Sequence, residues 1–481
     1  MIKNSNVSEN QLMLPTGKII TFNNEQFDGV KSVNTWLRNK RDNKNFFTLA
    51  GFAGTGKTSI IKKVLDSYRG GIVVSAPTHK AKKVVMRTTN RDGQTMQALL
   101  GLRPDVNLDD FDPNRPQFNP IATPRINDYN FVVIDEASMI NEGLFNLIKE
   151  LMRGSTTKLL FMGDPAQIPP IGEAISTVFL EENIDLFHQL TKVERQSDDN
   201  PLFFVYDLLR NNLTRFDGGF KRTSNINNNG DGVNFLIDKL DFRNRVLEKY
   251  SSHEYRNNID FCKLIAWRND TVMKANHIIR SELLNKTSDI IEVNDVLMGY
   301  RTVTSANIGY NIIENSADYK VVDKSELMTN EYGITGYLVN LEEEIDVNKK
   351  INETVFIVDA NNPQNLSIYG QLHDFYRETS RENKKNWKKY YEFRRNNLLM
   401  KNIDRYADGT LRDGDDIIVK DLDYGYAITG HKSQGSTYDH VFVMENDIYA
   451  NPLLKERNQI LYVALTRPMH TATVLTTKID E

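Results

Sequence analysis

The chain has 481 residues, 40% hydrophobic and 26% charged, the balance of a soluble globular protein of about two to four domains. No apolar run reaches the roughly 18 residues of a membrane span, and the N-terminal MIKNSNVSENQLMLP lacks the basic-then-apolar order of a signal peptide, so a cytoplasmic setting is expected. One cysteine, Cys262 in an apolar run, leaves no internal disulfide or cysteine zinc cluster, and a formal net charge of −4 leaves any nucleic-acid contact to local patches.

In chain order, short apolar runs at Phe46–Ala50, Gly71–Ala76, Phe131–Ile134 and Lys158–Met162 each lead through a small or polar loop towards a helical pattern. That alternation predicts parallel strands with crossover helices. Between them, Arg103 to Arg125 holds five prolines and no helical period, which predicts an inserted loop or small hairpin. Asn225 to Gly232 (NINNNGDG) predicts a linker or loop tip. Apolar runs return at Phe261–Trp267, Tyr426–Thr429, His440–Met444 and Thr471–Leu475, a second set of similar size. Inside this set, strand-like segments recur from Ile290 to about Val358, and Tyr369 to Asn402 is strongly helical. The run from Arg377 to Lys401, nine Lys/Arg against three Glu, reads as a solvated helix face, and Trp387 and Tyr390 read as packing of that helical segment.

The chemistry is concentrated in the first set. Gly51-Phe-Ala-Gly54-Thr55-Gly56-Lys57-Thr58 satisfies G-x-x-x-x-G-K-[ST] between a strand and the helix predicted over Ser59–Tyr68. Glycines let backbone N–H groups wrap phosphates at a helix N-terminus. Lys57 would bind the β/γ-phosphates and Thr58 would place its hydroxyl on Mg²⁺. Phe131-Val-Val-Ile-Asp135-Glu136 ends a strand in two carboxylates, Asp135 for Mg²⁺ and Glu136 to polarise the attacking water. Gly163-Asp-Pro-Ala-Gln167-Ile-Pro-Pro follows another strand, and Gln167 would sense the γ-phosphate or its water.

With this order of motifs the chain resembles the superfamily 1 helicases, within them the RecD/Pif-like 5′→3′ branch and its small Dda-type phage enzymes, from Thr21 to Leu475. The resemblance implies an α/β fold of two RecA-like P-loop NTPase lobes with parallel sheets, plus a pin hairpin and an SH3-like β-barrel with a helical tower. It divides the chain into lobe 1A at 1–86 and 126–188, a pin (1B) at 87–125, lobe 2A at 189–285 and 421–481, and a barrel and tower (2B) at 286–420. It implies that Gln26 hydrogen-bonds the adenine edge, and that Arg195 and Arg467 are arginines reaching the γ-phosphate from the second lobe. Thr429-Gly-His431-Lys-Ser-Gln-Gly435-Ser436 resembles the motif linking nucleotide and strand, with Gly435 at the nucleotide and Thr429 and His431 at the strand. Pro77, Thr78 and His79 would touch the strand's backbone, as would Gln97, which stands where the family usually has histidine. Phe118, aligned with the family's pin-tip aromatic, would meet the base pair at the fork, with Phe111 as the second aromatic there.

The activity implied is an ATP- and Mg²⁺-dependent DNA helicase and single-strand translocase. Its partners would be single-stranded and forked DNA, and single-strand-binding or replication proteins. It would act as a monomer without a membrane, in a bacterial cytoplasm if phage-encoded. An RNA helicase of the same superfamily, or an ATP-gated clamp or loader without processive motion, are the alternatives the motifs leave open.

Overall fold

The computed structural model describes residues 8–14, 17, 19–39, 43–103, 122–193, 200–283, 289–305, 311–346, 349–404 and 417–480. Arg195 lies outside the described residues, as do Phe111 and Phe118.

The first lobe is a six-stranded, all-parallel sheet in the order Gly93–Thr95, Ile72–Ala76, Phe131–Ile134, Lys158–Gly163, Phe46–Gly51, Leu186–Leu190. Its central strands are almost wholly apolar, with Thr48, Ser75 and Lys158 as buried exceptions, because both faces are covered. Val132, Ile134, Leu159 and Phe161 enter one core, while Phe131, Val133, Leu160 and Met162 enter the other. Gly93–Thr95 falls within the stretch assigned by sequence to the 87–125 insertion, but it pairs in parallel with Val74–Ala76 and so forms an edge of this sheet. The sheet also runs to Leu190, past the expected boundary at 188.

The second lobe repeats the plan. Ala427–Thr429, Cys262–Ala266, Tyr438–Met444, Pro468–Leu475 and Gly232–Leu236 are parallel neighbours, with Asn225–Ile226 antiparallel at the edge. The segment read as a linker or loop tip is the tip of a hairpin. The Asn227 side chain accepts hydrogen bonds from the Asn229 and Asp231 amides and closes the turn. Helix Leu454–Thr466 is buried on all sides from Arg457 onward, the pattern of a helix inside a core rather than on a surface.

The insertion is an antiparallel sheet in the order Met328–Thr329, Thr335–Asp346, Asp318–Lys324, Val296–Gly299, Leu422–Tyr424, with Lys349–Val358 on the outer side of the long hairpin. Leu422–Tyr424, assigned by sequence to the returning second lobe, pairs with Val296–Gly299 and so extends this sheet. Helices Pro363–Glu382 and Trp387–Arg395 cover Phe356 and Val358 through Tyr369 and Phe393. The insertion has no separate core at its base: Val296, Tyr319, Leu341 and Ile357 share one apolar cluster with Leu264, Phe442 and Leu475 of the second lobe. Insertion and second lobe are therefore packed as one body.

Candidate nucleotide site between the lobes

The phosphate loop begins where the apolar strand Phe46–Gly51 ends, and helix Lys57–Ser67 starts directly after it. Gly54 and Gly56 both take left-handed φ, +82° and +84°. A Cβ on Gly56 would stand 2.5 Å from the Gln26 amide nitrogen, so a side chain there is excluded twice over. Gln26 is buried beside the loop. Its Oε1 accepts from the Asn23 amide as half of a capping box, and its Nε2 donates to the Thr55 carbonyl at 2.9 Å. Lys57 Nζ lies over the loop and donates to the Gly51 and Phe52 carbonyls at 2.6 and 3.1 Å.

Asp135 and Glu136 follow strand Phe131–Ile134, and Glu136 is in the left-handed region at φ +52°. Burial and its Glu136 neighbour raise the pKa of Asp135, with Lys57 opposing. Burial also raises that of Glu136, while the charges of Arg467 and Lys57 pull it back. Two buried carboxylates whose ionised forms are disfavoured are a donor set that a divalent cation relieves, so Mg²⁺ carried in with a nucleotide fits here. Thr58 and Asp135 are the residues that would hold it. Among the described residues no group of three or more His, Cys, Asp or Glu gathers as an all-protein metal cage.

The second lobe closes on this site. Gln459 and Tyr462, three residues apart on one face of the buried helix, reach across the cleft. The Tyr462 hydroxyl donates to Asp164 Oδ2 at 2.7 Å, and the Ala53 amide of the phosphate loop is shared between that carboxylate at 2.9 Å and the hydroxyl at 3.3 Å. Gln459 donates to the Gln167 carbonyl at 2.9 Å, and Gln434 to that of Ile168 at 3.1 Å. Ala166 and Ile168 sink into the second lobe's core, and Phe52 packs against it under the Arg210 guanidinium, 4.1 Å from the ring centroid. Gln167 Oε1 is buried with no hydrogen-bond partner among the described residues.

Arg467 follows the same helix. It is buried, donates to the carbonyls of Val463 and Ser436, both at 3.1 Å, and is close enough for its charge to be felt at Glu136. Gly435, expected at the nucleotide, meets the first lobe: at φ +71° a Cβ there would stand 2.7 Å from that of Ala81. Sequence reading missed the roles of Asp164, Gln434, Gln459 and Tyr462. The i, i+3 pair on an apolar helix was the one available signal.

The expected strand contacts separate into two groups. Pro77 leads into helix His79–Thr89, and Thr78 caps it by accepting from the Ala81 amide. His79 is not open to solvent: its ring nitrogens lie 3.2 Å from Glu314 and 3.1 Å from Glu343, both on the insertion. Lys82 is 4.0 Å from Glu314, and Lys83 pairs with Glu343. Burial pushes the Glu314 pKa upward, but the His79 ring and the Lys82 ammonium bring it down to about 2. Lys80 is sunk among Asp318 at 2.7 Å, the Tyr438 hydroxyl at 3.1 Å and Asp260 at 3.3 Å. Gln97 is half-buried on the short helix Met96–Leu100. In the second group, the Thr429 hydroxyl accepts from the Lys432 amide, and His431 is partly exposed, 4.0 Å from Glu456. No sequence pattern announced Glu314, Glu343 or Asp318, because their partners are more than two hundred residues away.

A family model described as an AAA domain matches residues 34–217, and one described as a UvrD-like helicase C-terminal domain matches residues 424–475. These matches take in the phosphate loop on one side of the cleft and Gln459, Tyr462 and Arg467 on the other. The chain is 27% identical to an uncharacterized protein of Acanthamoeba polyphaga mimivirus, over 89% of this chain and 94% of that protein. It is 21% identical to the ATP-dependent DNA helicase dda of Enterobacteria phage T4, over 89% of this chain and 93% of that one. Its fold is shared with a structure described as showing DNA unwinding at forked double-stranded DNA by two coordinating Pif1 helicases, with a TM-score of 0.52 and 15% identity over 96% of this chain and 93% of the other. A phosphate loop completed across a cleft by a helix of a second RecA-like lobe is thus set in a chain that is similar over nearly its whole length to an ATP-dependent DNA helicase and that shares the fold of Pif1 helicases.

Proposed function

We propose that this chain is an ATP-driven DNA helicase that advances 5′→3′ along one strand and parts the duplex with its 104–121 segment. The observation that carries the reading is the Ala53 amide, held at once by Asp164 of its own lobe and Tyr462 of the other. A phosphate entering the loop must compete for that amide, so nucleotide binding acts directly on the contact between lobes. Lys57 then leaves the Gly51 and Phe52 carbonyls for the phosphates. The bound Mg²⁺ supplies charge neutralisation at the transferring phosphoryl group. Glu136, its basicity raised by burial, orients and accepts the proton of the attacking water. Gln167, with its free Oε1, positions that water, and Arg467, with Arg195 as its partner finger, stabilises the charge that develops. Opening and closing the cleft moves the strand-contacting residues 77–79 and 97 relative to Thr429 and His431, and gripping the backbone at both places converts closure into translocation.

The test is unwinding of paired DNA and RNA duplexes carrying a 5′ or a 3′ tail. ATP-dependent unwinding of 5′-tailed DNA is expected, and unwinding from a 3′ tail alone overturns the polarity. Turnover should vanish in Lys57→Ala; appreciable hydrolysis by that variant removes the phosphate-loop assignment. Phe118→Ala should hydrolyse ATP normally on single strands yet unwind several-fold more slowly, and parallel losses in both assays would exclude a fork role.

A further inference from the structure

A second cavity lies away from the nucleotide cleft, between Arg103 of the first lobe, residues 301–304 of the insertion and helix Trp387–Arg395. It encloses about 360 Å³, near the lower end for small-ligand pockets and too small for a base pair. Trp387, Tyr390 and Tyr391 form an aromatic wall, with ring centroids 5.4 to 5.9 Å apart. Arg103, Arg301, Arg394 and Arg395 line it together with Thr302, Val303 and Thr304, and Asp421 is the one carboxylate among the described lining residues. That carboxylate is already engaged, accepting from Arg394 at 2.7 Å and from the Leu399 amide at 3.0 Å. Arg394 is buried, and its Nε has no hydrogen-bond partner among the described residues. Its Nη2 also donates to the Val419 carbonyl at 3.3 Å, so an apolar partner would leave the Nε alone without an acceptor.

Flat rings beside guanidinium groups match a nucleobase and its phosphate: the base stacks on the ring, and the forked N–H donors take the phosphate oxygens. The cavity also adjoins the expected strand path. Tyr300, next to Arg301, has Lys432 Nζ 4.2 Å from its ring centroid, and Thr302 of the pocket accepts from the Asn315 amide, whose side chain accepts from Lys432.

We infer that this pocket binds one unpaired nucleotide at the fork, by stacking on the Tyr391 side of the aromatic wall and by pairing its phosphate with the arginines. The inference rests on the helicase reading and adds a site outside the motor motifs. The nucleotide belongs either to the strand being tracked or to the strand being displaced, which share this chemistry.

Forked DNA carrying a single photoreactive 5-iododeoxyuridine, placed in turn on either strand beside the junction, distinguishes the two. Irradiation of the full-length protein should attach one strand to the peptide spanning Trp387–Tyr391. Attachment should be lost in Tyr391→Ala and kept in Tyr391→Phe. Fork affinity should fall about tenfold in Tyr391→Ala and in Arg395→Ala, the loss expected from roughly 1.4 kcal/mol of stacking or phosphate contact. No attachment from either strand overturns the proposal. Slower unwinding in Tyr391→Ala with fork affinity intact also overturns it, and assigns the pocket to residues 104–121 instead. Strand-stimulated ATP turnover of the unaltered protein, measured alongside, separates this failure from failure of the helicase reading.

Discussion

Asp135 carries the clearest trade between stability and activity. Its pKa is raised by burial and by Glu136, so between the ordinary carboxylate value and that raised value the folded chain holds more protons than the unfolded one. Stability therefore falls as pH rises through that window. Asp135→Asn removes the buried charge while keeping the shape. It is expected to melt at a higher temperature than the parent at pH 8, by about 1.4 kcal/mol for each unit of upward shift, and to lose the advantage below about pH 4, where both states are protonated. ATP turnover should be lost at the same time. Thermal melts across pH check this, and an Asn variant no more stable at pH 8 than the parent would contradict the burial argument. Carboxylates at the end of strand Phe131–Ile134 were legible in the sequence; their strain was not, because it arises from burial that only the folded chain imposes, partly relieved by Lys57 and Arg467 brought in from far along the chain.

At the scale of elements, helix His79–Thr89 is held by the insertion. His79, Lys82 and Lys83 face Glu314 and Glu343, two carboxylates lying where a strand's phosphates are expected. The pKa of Glu314, down to about 2, means that this contact adds stability above the usual carboxylate range and loses it only as pH falls through about 2. At neutral pH a strand must displace these groups. Glu314→Gln together with Glu343→Gln should raise single-strand affinity roughly five- to tenfold, about 1 kcal/mol, in fluorescence anisotropy titrations. The gain should be largest at low salt, since surface charge effects fade beyond about 10 Å at 0.1 M. Equal affinity in the parent and the double variant would mean that the strand runs elsewhere. A helix after the run Gly71–Ala76 was readable, whereas its cap at Thr78 and its acidic cover, Glu343 on strand Thr335–Asp346 and Glu314 before strand Asp318–Lys324, appeared only in the fold.

Across the whole molecule, two bodies meet through buried polar contacts. The insertion and second lobe share a core, so the moving joint lies between them and the first lobe. That joint is made of Tyr462, Gln459, Gln434, Gly435 and the Lys80 cluster. Tyr462→Phe keeps the ring and deletes the hydroxyl shared by Ala53 and Asp164. It should cost about 1–3 kcal/mol of stability by leaving the buried Asp164 short of a donor, and should lower strand-stimulated kcat more than it changes the KM for ATP. Steady-state kinetics at saturating strand measures this split; an unchanged kcat would mean that the lobes communicate by another route.

The amino-acid sequence determined what is local. Periodicity set the parallel strands, the glycine spacing set a phosphate loop, and an apolar run ending in Asp135 and Glu136 set the opposite side of the site, since each depends only on neighbours within a few residues. Tertiary structure alone decided what is shared between distant segments. It brought Tyr462 onto the Ala53 amide, turned Glu314 and Glu343 onto His79, set Gly435 against Ala81, and gathered Arg103, Arg301 and Tyr391 round one cavity. These are pairings across hundreds of residues, selected by burial and charge complementarity in the folded chain, and spacing along the chain carries no trace of them.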